Sequence, residues 1–257
     1  MIFQKIKTIS YFTFREIWKS KILLNVVFVG LGLILLTFIA TEFTFGVPER
    51  VAIDFGMGML SLSALGISIF LGVGLLSKEI DSRTVYMVIS RPVPRYAFII
   101  GKICGLMAIQ CLNVLILSTM TLVTAKLLGG AITSLVIWSI FYTLLESLLA
   151  LLVVILISLL ANNILTVLFS SVLLILGHAI QETQNISFVK TNPLLMKVLE
   201  LYHFALPGFY KLNIKEFLVY KSDLPLSYLL SNTMYALTYS GFLLILIILI
   251  FERKNLD

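Results

Sequence analysis

The sequence predicts an all-α polytopic membrane protein, and three observations carry that prediction. Of the 257 residues, 60% are hydrophobic and only 12% are charged. The mean hydropathy is +1.06, whereas a soluble domain carries roughly a quarter of its residues as Asp, Glu, Lys and Arg. Apolar runs of about 20 residues, the length a helix needs to cross roughly 30 Å of hydrocarbon, recur along the chain. In hydrocarbon every backbone N–H and C=O must be paired within its own segment, so each run is read as a helix. The runs are Ile22–Ala40, Phe55–Leu76, Tyr96–Leu127, Ile132–Leu160, Ile164–Ile180 and Tyr228–Phe251, which gives six spans in a single domain over residues 1–257.

Residues 1–21 precede the first span. Ile2, Phe3, Ile6, Ile9 and Phe12 recur there at helical spacing among Lys5, Lys7 and Arg15, the pattern of a helix lying along the inner membrane surface. The first apolar run is too long for a secretory h-region, and Ala40-Thr41-Glu42 is a poor cleavage site, so the start reads as an uncleaved anchor. On the second span Ala64, Ser68 and Gly72 recur every fourth residue and form a narrow face that admits another helix, within the chain or across a dimer.

The third and fourth runs exceed the minimum length, which tilting or kinking accommodates. Lys126-Leu-Leu-Gly-Gly-Ala131 supplies the hairpin between them. Cys104 and Cys111 fall on one face of the third span but about 10 Å apart by helical rise, too far to bridge, and are read as small packing residues. Gln110 and Asn113, on the same span, read first as interhelical glue. Glu146 sits near the middle of the fourth span, where an ionisable group costs about 2.5 to 3.5 kcal/mol on insertion scales. It is expected either to line a translocation path, as Asn113 could, or to meet a second protomer, or to be satisfied by packing partners.

The joint Leu160-Ala-Asn-Asn-Ile164 is the tightest, its two amides being suited to satisfying helix ends. The longest polar segment is the loop 181–227. Leu194, Leu195, Val198, Leu199 and Tyr202 make one helical stripe in it, and Ile214, Phe217 and Leu218 indicate a second short helix. Such helices lie at the outer interface or dip back over the spans.

Lys and Arg are retained on the cytoplasmic side of short loops. Lys5, Lys7, Arg15, Lys19 and Lys21 place the N-terminus inside; Lys78, Arg83, Arg91, Arg95 and Lys102 place the second loop inside; Arg253 and Lys254 agree at the C-terminus. The expectation is an inner-membrane protein with both termini cytoplasmic. This topology accounts for most of the formal charge of +6, so no nucleic-acid partner is required. No spaced His/Cys set points to a metal: His178 and His203 stand without companions.

The segment 77–102 is the one stretch that mixes dense charge with prolines between two apolar runs. A helix continuing through Lys78–Ile89 is stopped by Pro92, which disfavours helical geometry at Arg91. Pro92-Val93-Pro94 then makes a stiff corner, and Arg95, Tyr96 and Lys102 anchor the next span at the headgroups. The order of residues resembles the cytoplasmic coupling region of the type-2 permeases of ABC transporters, including the permease type found beside nitrous oxide reductase maturation systems. Glu79, the pair Arg83-Thr84, the apolar Val85–Ile89, Pro92-Val93-Pro94-Arg95 and Gly101-Lys102 correspond to that pattern. Arg83 stands where the family more usually has Gly, and Pro94 adds rigidity.

The resemblance implies a coupling helix, within 77–95, that fits a cleft on a separate ATP-binding subunit. Lys78, Glu79, Asp81, Ser82, Arg83 and Thr84 would dock there, with Arg91, Pro92, Pro94, Arg95, Gly101 and Lys102 orienting the loop at the membrane. It further implies half of an exporter: one six-span chain working with a second permease chain, as a homodimer in the simplest case, and two cytoplasmic ATPases that hold the ATP and Mg. The chain has no phosphate loop of its own, since Gly101-Lys102 lacks the first glycine. No cofactor and no catalytic residue are therefore expected on it. Two other readings stay open, a proton-coupled transporter that uses Glu146 and a noncatalytic membrane anchor. A membrane hydrolase is weaker still, because Glu146 and His178 lie on different spans with no nucleophile motif.

Overall fold

The computed structural model describes residues 2–20, 22–43, 48–81, 94–185, 206–220 and 224–253, together with positions 192, 195–197 and 199. All regular structure among them is helical: α1 Ile2–Lys19, α2 Ile22–Glu42, α3 Pro48–Asp81, α4 Arg95–Leu127, α5 Ser134–Leu160, α6 Asn163–Asn185, a 3-10 turn η1 Phe209–Leu212, α7 Lys215–Tyr220 and α8 Leu226–Arg253. Five stretches, Pro48–Gly74, Arg95–Leu127, Ser134–Leu160, Asn163–Ile180 and Leu226–Arg253, are long and apolar enough to cross a membrane. These correspond to the second through sixth expected spans. The first corresponds to α2, within which Val26–Glu42 is a shorter apolar stretch.

Local chemistry sets the helix ends. Pro94 caps α4 in an extended conformation, φ −66° and ψ 144°, and its carbonyl accepts the amides of Ala97 at 3.0 Å and Phe98 at 3.2 Å. A proline has no N–H to leave unpaired at a helix start, so it terminates the preceding corner without cost. At the other end of α4, Gly129 turns at φ +85°, a backbone conformation that a side chain would strain. The amide of Gly130 closes the turn on the Ala125 carbonyl at 2.8 Å. Between α5 and α6, Asn162 Oδ1 accepts the Leu165 amide at 2.9 Å and caps α6. That is the role anticipated for the paired amides of this joint.

The helices pack around α5. Of its apolar window 61% is buried, against 22% for α8, so α5 forms the centre and α8 gives most of its surface to the surroundings. The principal core joins Ile99, Ile103 and Ile109 of α4, Tyr142, Leu149, Leu151 and Ile155 of α5, and Ile247 and Phe251 of α8. Large apolar side chains such as Leu62, Phe70, Ile164 and Ile175 stay exposed. On a membrane protein such residues meet acyl chains, where exposure carries no hydrophobic penalty.

Small residues let the backbones approach. A Cβ on Gly72 would lie 2.6 Å from Val154 Cγ1, and Ser68 Oγ donates to the Ala64 carbonyl and to the Ser147 carbonyl, both at 2.8 Å. The small face of α3 is therefore occupied by α5 of the same chain. The amphipathic α1 packs along α4: Cβ atoms on Gly101 and Gly105 would meet Ile9 Cβ at 2.8 Å and Thr13 Cβ at 2.7 Å. The contact advances by four residues on both helices, so the two run locally parallel. Cys104 and Cys111 are free thiols on the exposed face of α4.

Candidate functional site

Two groups of residues come into question, at different levels of the bundle. The first is the charged segment. Helix α3 runs on past the apolar run that closes at Leu76, so that Lys78, Glu79 and Asp81 fall on its last turn. Ser82, Arg83, Thr84, Arg91 and Pro92 lie outside the described residues, so the expected coupling helix is seen only where it leaves α3. The chain is described again from Pro94, and Arg95 Nη1 donates to the Glu252 carbonyl at 3.3 Å, tying the start of α4 to the end of α8. Lys102 Nζ lies 3.8 Å from Glu16 Oε2, and Gly101 is the notch that seats α1. Gly101-Lys102 thus has a structural role here, fastening the amphipathic helix to α4.

The second group forms around Glu146, which is 1% exposed. Twelve residues separate it from the start of α5 and fourteen from its end, about 18 and 21 Å of helical rise. Its Oε1 meets His178 Nε2 of α6 at 2.5 Å, and His178 Nδ1 meets the Leu174 carbonyl at 2.8 Å. A carbonyl can only accept, so Nδ1 bears a hydrogen and donates it. One proton is then shared between Nε2 and Oε1: either an imidazolium donates to a carboxylate, or a carboxyl donates to a neutral ring. Without it, two lone pairs would face each other.

Segment 206–220 closes over this pair. The ring of Phe209 stacks on the imidazole with centroids 5.9 Å apart and planes 6° from parallel. Gly177 makes room, since a Cβ there would lie 2.5 Å from Phe209 Cδ2. Phe209, Leu212 and Ile214 are each at most 2% exposed. Tyr235 Oη accepts the Gly208 amide at 2.9 Å, and Asn232 Nδ2 donates to the Lys211 carbonyl at 3.2 Å, while Lys211 Nζ sits 4.4 Å over the Tyr235 ring. Lys215, at the start of α7, is partly buried. Burial pushes its ammonium below the ordinary 10.5, and the Glu146 carboxylate pulls it partway back. Of the two placements open to the loop helices, this part dips back onto the spans.

Further polar atoms lie inside the bundle. Gln110 Nε2 donates to the Ala64 carbonyl at 2.8 Å, joining α4 to α3 as expected of glue. Asn113, by contrast, is fully buried, and neither of its amide atoms has a partner among the described residues. The same holds for Gln110 Oε1, Ser139 Oγ and Glu146 Oε2. Among the described residues no group of three His, Cys, Asp or Glu side chains could hold a metal.

Composition and span position singled out Glu146, but His178 was set aside as a residue without companions. The structure joins them. Nothing local in the sequence announces a contact across 32 positions and two helices; the available signal was that a buried carboxyl needs a partner, and His178 is the one titratable side chain on the adjoining span. His203 lies outside the described residues. Fold and site together define a multi-pass helical membrane protein in which a buried carboxyl meets a half-buried imidazole beneath the segment 206–220. No family model matches the chain, and no curated protein matches it.

Proposed function

We propose that the chain is the permease subunit of an ATP-driven exporter, working in the inner membrane with a second permease chain and two separate ATP-binding subunits. The observation that supports this most is the continuation of α3 to Asp81, five residues beyond the apolar run that closes at Leu76, with the chain described again from Pro94, where Arg95 meets the end of α8. The charged segment joins the end of α3 to the start of α4 in the chain, the connection through which a push from a soluble motor would pass into both helices. Six spans, with α2 as the first, and cytoplasmic termini belong to this reading. ATP and Mg reside on the partner, and Lys78 to Thr84 carry the docking. Purifying the chain from its native membrane with and without Glu79→Arg/Arg83→Glu tests it: the wild type should bring down an ATP-binding subunit that the charge-reversed chain does not.

One observation favours a second reading, a proton-coupled transporter. The Glu146–His178 pair holds a proton between α5 and α6, and Glu146 Oε2, which has no partner among the described residues, leaves room for a further donor. In that case transport follows a proton gradient without an ATPase and collapses in Glu146→Gln.

A further inference from the structure

The pair has a consequence that holds whichever energy source drives transport. His178 is held in place by its two ring nitrogens, through the Leu174 carbonyl and Glu146, and its face is the seat of Phe209. We propose that the proton shared by Glu146 and His178 is the latch of a plug formed by residues 206–220: bound, it fixes the ring under Phe209; released, it frees the plug from the bundle.

The chemistry balances with water as the acceptor. The shared proton would leave by way of His178, whose side chain is 28% exposed while that of Glu146 is 1% exposed. A carboxylate oxygen then faces the Nε2 lone pair, and the contact turns from attractive to repulsive. A buried group left without its partner is costly enough to move a small segment. An added proton has a milder effect, since an imidazolium still donates to the carbonyl oxygen of a neutral carboxyl. Release is therefore expected on the alkaline side.

Among the described side chains the other titratable groups around the pair are few. Lys215 approaches Glu146 from α7, and Lys211 and Tyr210 belong to η1, with Lys211 engaged on the Tyr235 ring. Tyr142 of α5 donates to the Leu229 carbonyl at 2.5 Å. Helix α3, also packed on α6, carries its described charges near its start, at Glu49, Arg50 and Asp54. Deprotonation of Lys215 at high pH favours docking, the opposite sign to the latch, so an alkaline release identifies the pair.

Hydrogen exchange of the purified full-length chain in lipid nanodiscs tests the proposal, followed on peptides covering 206–220 and corrected for the intrinsic rate at each pH. The wild type should lose protection there on the alkaline side, by about tenfold per pH unit for a single released proton, while α4 peptides stay protected. Glu146→Gln donates an amide hydrogen to Nε2 and holds the ring with no proton to lose, so protection should persist at every pH. His178→Ala should expose the segment throughout. Should its α4 peptides also lose protection, the comparison of the wild type with Glu146→Gln decides. Wild-type protection unchanged up to about pH 10, the upper end of ordinary side-chain titration, or an identical alkaline release in Glu146→Gln, would overturn the proposal.

Discussion

A carboxyl in the middle of a span is tolerated only when its surroundings answer for it, and Glu146 is answered by His178. Glu146→Ala leaves the imidazole without its second partner in a buried site, and we expect a loss of about 1 to 3 kcal/mol, read as a lower melting temperature in detergent. Glu146→Gln should lose less, because an amide still meets Nε2. At Lys215 the sign runs the other way. Its ammonium is depressed below 10.5, chiefly by burial, so the charged form opposes docking fully below its native pKa, and this opposition fades as pH rises through that value towards 10.5. Lys215→Met should therefore increase protection of 206–220 at neutral pH, with the advantage over the wild type shrinking in alkali. At this scale the sequence was half legible. The cost of a charge in hydrocarbon marks Glu146 without any structure, but its partner depends on which helices adjoin, and that is a property of the packed bundle. Asn113 was noted for its polarity; that both its amide atoms lack partners among the described residues emerges only in three dimensions.

Among the elements, glycines at similar helical positions do different work, and substitution separates them. Gly105→Val drives a branched side chain against the Ser10 carbonyl, 2.8 Å from the Cβ position, and backbone cannot rotate away as a side-chain tip can. A cost of about 1 to 3 kcal/mol is expected, with α1 more open to protease. Gly66→Ala meets nothing within 4 Å and should be neutral or gain about 0.5 to 1 kcal/mol from helix propensity. Thermal unfolding of the two variants side by side checks both. Element boundaries were legible because they are written in strong local signals: the apolar runs begin and end within a few residues of the helices, and Asn162, Gly129 and Pro94 do at their joints what their chemistry demands. The beginning of α3 was not. Glu49, Arg50 and Asp54 precede the apolar run that begins at Phe55, but they lie on the first turns of a helix that starts at Pro48. Gly101 was read through its place in a motif; its fit to α1 is a fact of packing that spacing alone does not reveal.

For the molecule as a whole, the two groups of residues divide the bundle. The charged segment lies at the end marked by Lys102 and Glu252, and the Glu146–His178 pair lies about 20 Å along α5 from Leu160, under the re-entrant plug. Helix α3 touches both regions, through its last turn and through its packing on α5, α6 and α7. In the proposed permease, force applied at the segment would reach the plug along α3 and α5, joined at Ser68–Ser147 and at Gly72–Val154. The measurement that tests this account most directly is the purification of the chain from native membranes beside its Glu79→Arg/Arg83→Glu variant, with mass spectrometry of the bound proteins and hydrogen exchange to show that both chains are folded. An ATP-binding subunit held by the wild type and lost from an equally folded variant is the predicted result. A folded wild-type chain that brings down no such subunit under several mild extractions, or a variant that retains it, would contradict the account.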